Sequence, residues 1–445
     1  MFSAIDDSSD IIVCSFENRL CCAGVLRLIA VFEKEQTHAV NRSIFFGWYV
    51  VIACFFIAMY AWGFGFYGHG IYLTQLHERH GWSAALISTA TTMYYLASAA
   101  LLPFLGAALL RIGAQRTVLI GALAMAAGVV SLSIINAPWQ LFAAYLLMAC
   151  GFATMGSAAI PLLIAPWFIR RRGWAVSLAF NGASAGGMVV APLMLWLIAT
   201  LGFDTALWVS VGAMLAVLIP LTCVCLRGDP ASHGTWPDGE ALACTSPAKR
   251  AEPNAPAPRT RQLLSSLQFW SIAAPFALGL LAQVGFLTHQ IPFLEPRLGI
   301  AGAGVAVALT TTGALVARIG FGFFIDQVNQ RHAASISLSS QALALTLLLF
   351  VESPLAMYGA CVLFGCSVGN LIMFPALIIQ REYPAAMFAT VVGMVTATTQ
   401  VAFAFGPSLL GVLRDICGDY SSALVSCIAA ELIGAIIVLR RPAPP

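Results

Sequence analysis

One arginine stands inside an apolar run: in ALVARIGFG, from Ala314 to Gly322, Arg318 is the single charge. A cation in a segment able to cross a membrane costs at least ~2.5 to 3.5 kcal/mol on insertion scales, so such a residue usually faces a cavity or an anion. Its planar guanidinium carries parallel N–H donors that match a carboxylate as a bidentate fork. The competing reading keeps Arg318 structural, paired with Asp326 or reaching to the membrane surface. His69 and His289 are a second kind of group. Each falls near the end of an apolar run, and imidazole titrates close to neutral pH, which suits proton coupling as well as a wet outer mouth. Tyr94, Gln400, Asn181, Gln283 and Asn370 bring hydroxyl and amide groups into apolar runs, where they bond either a ligand or a neighbouring helix. Glu431 is the other ionisable group in such a run; it reads as a protonated or head-group-level carboxyl outside the site.

The elements that must position these groups follow from composition. With 445 residues, 60% apolar, 9% charged and a mean hydropathy of +0.88, the chain lies far outside the soluble range and belongs in a lipid bilayer. A net charge of +3, thinly spread, supplies no surface for nucleic acid. Most of the twelve cysteines sit in apolar runs without metal-ligand spacing and read as small apolar residues. Neither a phosphate-binding GxxxxGK[ST] nor a His-Glu-x-x-His string occurs, so neither an ATP-driven engine nor a zinc hydrolase is expected, and no enzyme or cofactor.

Apolar runs long enough to span a bilayer cover residues 46–72, 84–108, 116–136, 139–164, 173–200 and 205–226, then 268–293, 303–325, 333–351, 354–379, 387–412 and 420–439. The expected fold is an all-α membrane protein of twelve transmembrane helices in two six-helix halves, 44–226 and 267–440. Residues 1–43 read as a disordered cytoplasmic tail. The proline-rich stretch 227–266 reads as a linker unable to build a packed core, and 441–445 as a short tail. Even-numbered loops and the termini hold 18 of the 22 lysines and arginines, which puts both termini and the linker in the cytoplasm. The halves also repeat: Gly106 and Gly322 stand 216 residues apart, Pro161 and Pro375 214, Pro192 and Pro407 215. Parallel six-helix repeats with a ligand site between them near the midplane describe a transporter architecture.

The stretch WFIRRRGWAVSLAFNGASAGG has an aromatic pair, a basic cluster and then small residues at fixed steps: Trp167, Phe168, Arg170, Arg171, Arg172, Ala175, Ala179, Gly182 and Gly186. With Gly47-Trp48 and the phrase RGDPASHGTWPDG after the sixth run, it resembles the major facilitator superfamily. Within that superfamily it is similar to the bacterial members of the monocarboxylate transporter and oxalate/formate antiporter branch. The resemblance implies a cytoplasmic gating signature, complete in the second half as Gly322, Asp326 and Arg331. In the first half Gly106, Arg111, Gly113 and Arg116 remain, but Leu110 stands where the family has Asp, which weakens that latch. The resemblance also implies that Arg318 binds the substrate carboxylate. Ala314 stands where human-type carriers have Asp, Phe66 where they have Lys, and Thr398 where oxalate carriers have Lys. A single central positive charge therefore suits one negative charge, and the usual proton relay does not carry over.

The reading is a secondary transporter of the cell inner (plasma) membrane, a monomer that moves a small organic anion, a monocarboxylate first, coupled to protons or a counter-anion. Export of lipophilic compounds and a receptor or scaffold that does not translocate stay open as alternatives.

Overall fold

Inside a bilayer, backbone N–H and C=O groups find no water, so an apolar run of about 20 residues closes its hydrogen bonds within itself as a helix. The computed structural model describes residues 45–233, 235–239 and 260–440. The expectations for residues 1–43, for 441–445 and for most of the central linker lie outside them. Among the described residues twelve helices are long and apolar enough to cross a membrane. The first six are α1 (Gly47–His80), α2 (Leu86–Ile112), α3 (Ala114–Ser131), α4 (Pro138–Ile164), α5 (Arg172–Leu201) and α6 (Phe203–Cys225). The second six are α7 (Leu267–Gly299), α8 (Gly302–Gly322), α9 (Gln330–Phe350), α10 (Pro354–Leu371), α11 (Ala385–Cys417) and α12 (Ser421–Leu439).

The repeated prolines mark repeated breaks. Inside α4 the helix stops at Met155 and restarts as Ala159–Ile164, with Pro161 in its first turn. The expected run 354–379 is interrupted likewise: α10 ends at Leu371, and a separate helix, Phe374–Glu382, begins with Pro375 in its first turn. Proline lacks the N–H that a continuing helix needs, so a restart is where it fits. The turns α5–α6 and α11–α12 correspond as well; Gly202 and Gly418 take φ of 80° and 84°, a conformation side chains with a Cβ avoid.

α2 packs on α4 and α1 on α5 in the first half, and α9 packs on α10 and α12 in the second. The halves meet along two seams. At one, α2 lies against α11, where Gly106 faces Ala389 and Gly393 faces the Leu102 carbonyl. At the other, α5 lies against α8, where Gly322 faces Trp174 and Ser177 Oγ donates to the Arg318 carbonyl at 2.8 Å. Both contacts lie toward the arginine-rich end of the bundle, which is closed.

α1 and α5 each contain one π-helical turn, Gly63–Tyr67 and Gly186–Val190, and the two turns pack on each other. A methyl group at Gly182 would run into the Phe55 carbonyl of α1, whereas Gly212 on α6 has open space around it. Small residues that let backbones approach are the usual means of helix association in lipid. The linker departs from expectation in its first part: Pro230–His233 and Pro237–Gly239 form short helical turns, and His233 stacks on Phe46 with ring centroids 4.1 Å apart.

These contacts set opposite signs for one substitution at two sites. Gly182→Ala is expected to lower the melting temperature through an overpacking cost of about 1–3 kcal/mol. Gly212→Ala should raise it, through a stability gain of about 0.5–1 kcal/mol from reduced chain entropy. Equal shifts for the two purified variants in a detergent melt would contradict the close crossing.

Candidate functional site

α8 carries Arg318 one turn before Gly322, at the level where α5 and α10 come close to it. Its side chain is buried, and three bonds hold it: Nε donates to the Gly369 carbonyl at 2.6 Å, and Nη1 donates to the Phe180 carbonyl at 2.7 Å and to Ser184 Oγ at 3.0 Å. Nη2 makes no hydrogen bond among the described residues, and Arg318 lines a cavity of about 370 Å³. The carboxylate of Asp326 is occupied elsewhere, accepting from the Gly173 and Trp174 amides at 2.9 and 3.1 Å. Arg318 therefore neither pairs with Asp326 nor reaches the surface.

The cavity draws on both halves: Trp62, Phe66, Tyr67 and Ser184 from the first, and Gln283, Gln290, Thr310, Thr311, Ala314 and Phe403 from the second. Two of its polar groups are already committed to each other, since Gln290 Nε2 donates to Thr310 Oγ1 at 2.9 Å. Gln283 accepts from Gln341 Nε2 at 3.1 Å, which fixes its carbonyl away from free rotation. The apolar wall and the few polar groups converging near one cation are what a small-molecule site requires.

Of the residues expected from sequence, Arg318 and Gln283 line this cavity and four others do not. Tyr94 is fully buried within the first half, its hydroxyl donating to the Gly65 carbonyl of the α1 π turn at 2.8 Å. Asn181 points into a lateral groove of about 590 Å³ between α1, α5 and α8, because α5 presents Ser184 and not Asn181 to the centre. Asn370 turns back on its own helix, donating to the Cys366 carbonyl at 3.2 Å. Gln400 is buried on α11 away from the lining, with its Nε2 unpartnered among the described residues. Ser184 went unnoticed in sequence. It belongs to the string Gly182-Ala183-Ser184-Ala185-Gly186, which has the Gly-x-Ser-x-Gly spacing of a hydrolase nucleophile. Here the serine lies within a helix and bonds Arg318, not at a strand-to-helix turn.

The two histidines separate clearly. His289 is engaged on both nitrogens, Nδ1 with Tyr420 Oη at 3.2 Å and Nε2 with the Pro407 carbonyl at 3.0 Å. The carbonyl requires a proton on Nε2, and the Tyr420 hydroxyl satisfies Nδ1, so both ring nitrogens have partners. His69 is buried with neither nitrogen bonded among the described residues. Its ring lies 4.6 Å from Tyr94 and 5.3 Å from Tyr145, with Tyr72 and Tyr95 completing the surround. It also lines a second cavity, of about 430 Å³, that shares the walls Phe66 and Phe403 with the first.

At the arginine-rich end Asp326 accepts amides at the start of α5, where helix N–H groups lack intrahelical partners. Arg331 does not join it: its guanidinium pairs with Glu382 at 2.6 Å and donates to the Val438 carbonyl at 2.7 Å. Arg381 instead bonds the Asp326 carbonyl at 2.6 Å. Arg172 wraps its own loop, donating to the Phe168 and Ala165 carbonyls at 2.7 Å each. In the first half Leu110 is exposed, Arg111 and Arg116 lie at the surface with it, and α11 starts without a side-chain cap.

The Major Facilitator Superfamily model matches residues 50–407, and the chain belongs to that family. Monocarboxylate transporter 11 of Mus musculus is 25% identical over 418 residues, 89% of this chain and 87% of that protein. Monocarboxylate transporter 13 of Rattus norvegicus is 23% identical over 410 residues, 89% of each chain. Among solved structures the E. coli fucose:proton symporter FucP superposes with a TM-score of 0.64 at 14% identity, covering 88% of this chain and 98% of that one. The protein is thus a twelve-helix transporter of the major facilitator fold, related at low identity to monocarboxylate transporters.

Burial holds the Asp326 carboxyl above the usual carboxylate range, and the Trp174 and Gly173 amides offset only part of that. With the value raised in the closed state and ordinary once water reaches the group, its contribution to closure is complete below about pH 3.9 and is lost as pH rises through the raised value. Spin-label distances between Gln115→Cys and His332→Cys, at the starts of α3 and α9, should lengthen across that window. Asp326→Asn should remove the dependence, and a profile identical to that of the parent would count against it.

Proposed function

We propose that the protein is a secondary active transporter that carries a small monocarboxylate through the cavity at Arg318 by alternating access, with its arginine-rich end facing the cytoplasm. One observation carries this reading: a buried guanidinium that lines a cavity, anchored by two backbone carbonyls and a hydroxyl, has no carboxylate among its bonding partners. A cation in that setting keeps most of its charge unneutralised, and an anionic ligand supplies the missing half. Phe66 and Ala314, where related carriers have ionisable groups, line the same space and leave Arg318 alone to set its charge. That favours one carboxylate over two. The relatives at 25% and 23% identity are named monocarboxylate transporters, which supports the same substrate class.

Coupling is assigned to His69 and not His289, because His289 has both nitrogens committed and His69 has neither. The groups that face His69 are four tyrosines, with no carboxylate among the residues stacked around it. The lateral groove containing Asn181, almost wholly apolar, favours the alternative of a lipophilic substrate entering from the bilayer. Arg318 is not among its lining residues, so the anion reading is the stronger.

Thermal stabilisation separates the two. A monocarboxylate at a hundredfold its Kd should add about 2.7 kcal/mol of apparent stability to the parent protein, and nothing to Arg318→Ala. Stabilisation by neutral lipophiles alone, equal in the variant, would install the exporter reading in its place. For His69→Gln the expectation is retained ligand stabilisation with a flattened pH profile of uptake in proteoliposomes. An unaltered profile would remove His69 from coupling.

A further inference from the structure

Five backbone amides at the start of α5 are taken up by two carboxylates. Asp238 Oδ2 accepts from Ile169 at 3.0 Å and Arg170 at 2.8 Å, and its Oδ1 accepts from Arg171 at 3.3 Å. Asp326 accepts from the next pair, Gly173 and Trp174. The two acids differ in the half they belong to. Asp326 follows α8 and crosses to α5 from the second half. Asp238 follows α6 and stays with the first half, because its own amide donates to the Trp167 carbonyl at 2.9 Å and His233 of the same stretch stacks on Phe46. Its backbone, with φ of 64°, is the one non-glycine residue in the left-handed region among those described, a conformation that Asp tolerates better than most residues.

We infer that Asp238 is the resident anchor of the loop that leads into α5: a positioning residue that keeps the Ile169–Arg171 turn formed throughout the cycle, so that Asp326 always returns to amides of α5 held in place. The inference rests on the two-state reading above. A turn whose amides lack acceptors frays, and this one, leading straight into Arg172, adds two further arginines whose like charges oppose compaction. If Asp326 were the only acceptor, each opening of the arginine-rich end would release the turn, and each closing would have to rebuild it. Asp238 removes that step. It also sits close enough to Asp326 to raise the energy of the second carboxylate, so the alternating contact is weaker than it would be alone. Arg172, bonded to the Phe168 and Ala165 carbonyls, fixes the other side of the same loop. The linker at Asp238 is in this view part of the gate, although it touches neither cavity.

The test combines residue-resolved hydrogen exchange with the Gln115→Cys and His332→Cys spin-label distance, in the full chain with its other accessible cysteines replaced. In the parent, ligand should shift the population between a short and a long distance; one unchanging distance would refute the two-state reading before the variants are considered. Asp238→Asn should speed exchange at residues 169–171 by about fivefold, a factor like that lost with a helix cap. It should also enlarge the long-distance population, although Asp238 bonds nothing in the second half. Asp238→Glu, which keeps the carboxylate, should show smaller effects on both. Asp229→Asn, which alters the neighbouring turn where Asp229 accepts from the Ser232 amide at 2.9 Å, should show neither. Faster exchange in Asp238→Asn with an unmoved distance population would reduce Asp238 to a local linker contact. Unchanged exchange would overturn the anchoring role itself.

Discussion

The organising constraint is a positive charge placed where no carboxylate among the described residues bonds it. Arg318 is held by the Gly369 and Phe180 carbonyls and by Ser184, on helices from both halves. Carbonyl dipoles fix the position of a guanidinium without cancelling its charge. That position constrains the neighbouring helices. α10 has to come close to α8 at Gly369, where a side chain would run into the Ala314 carbonyl, and α5 has to offer Ser184 at the same level. The interface between the halves is thus built around the residue that would receive the ligand. A change in what Arg318 binds is felt by α5 and α10 together.

Much of the fold was legible in the sequence, and for physical reasons. Bilayer thickness sets helix length, the arginines and lysines cluster at one end, and the duplicated prolines appear as duplicated breaks in α4 and beyond α10. Arg318 was legible because a lone charge in an apolar run admits few explanations. The amides were not. Tyr94, Asn181, Asn370 and Gln400 have the composition of a site, but which side of a helix faces the centre depends on its rotation, and one residue turns it by about 100°. Asn181 precedes the π turn of α5 and the other three lie on helices without one, so the rotation of each whole helix, which sequence does not reveal, turns them from the cavity. Asp238 was hidden for the opposite reason: its surroundings, rich in proline and glycine, look like a linker, and the fold of residues 227–239 depends on a loop some seventy positions earlier.

The missing first-half aspartate makes the closed end asymmetric. One seam is held by the Asp326 carboxylate on helix amides, the other by glycine contacts between α2 and α11 that carry no charge. The Asp326 contacts, at 2.9 and 3.1 Å, are far shorter than the screening length of about 8 Å at physiological salt, so dissolved ions reach neither seam strongly. The substitution at Leu110 thus leaves one edge of that end polar and the other apolar, and the two edges differ in chemistry more than in strength.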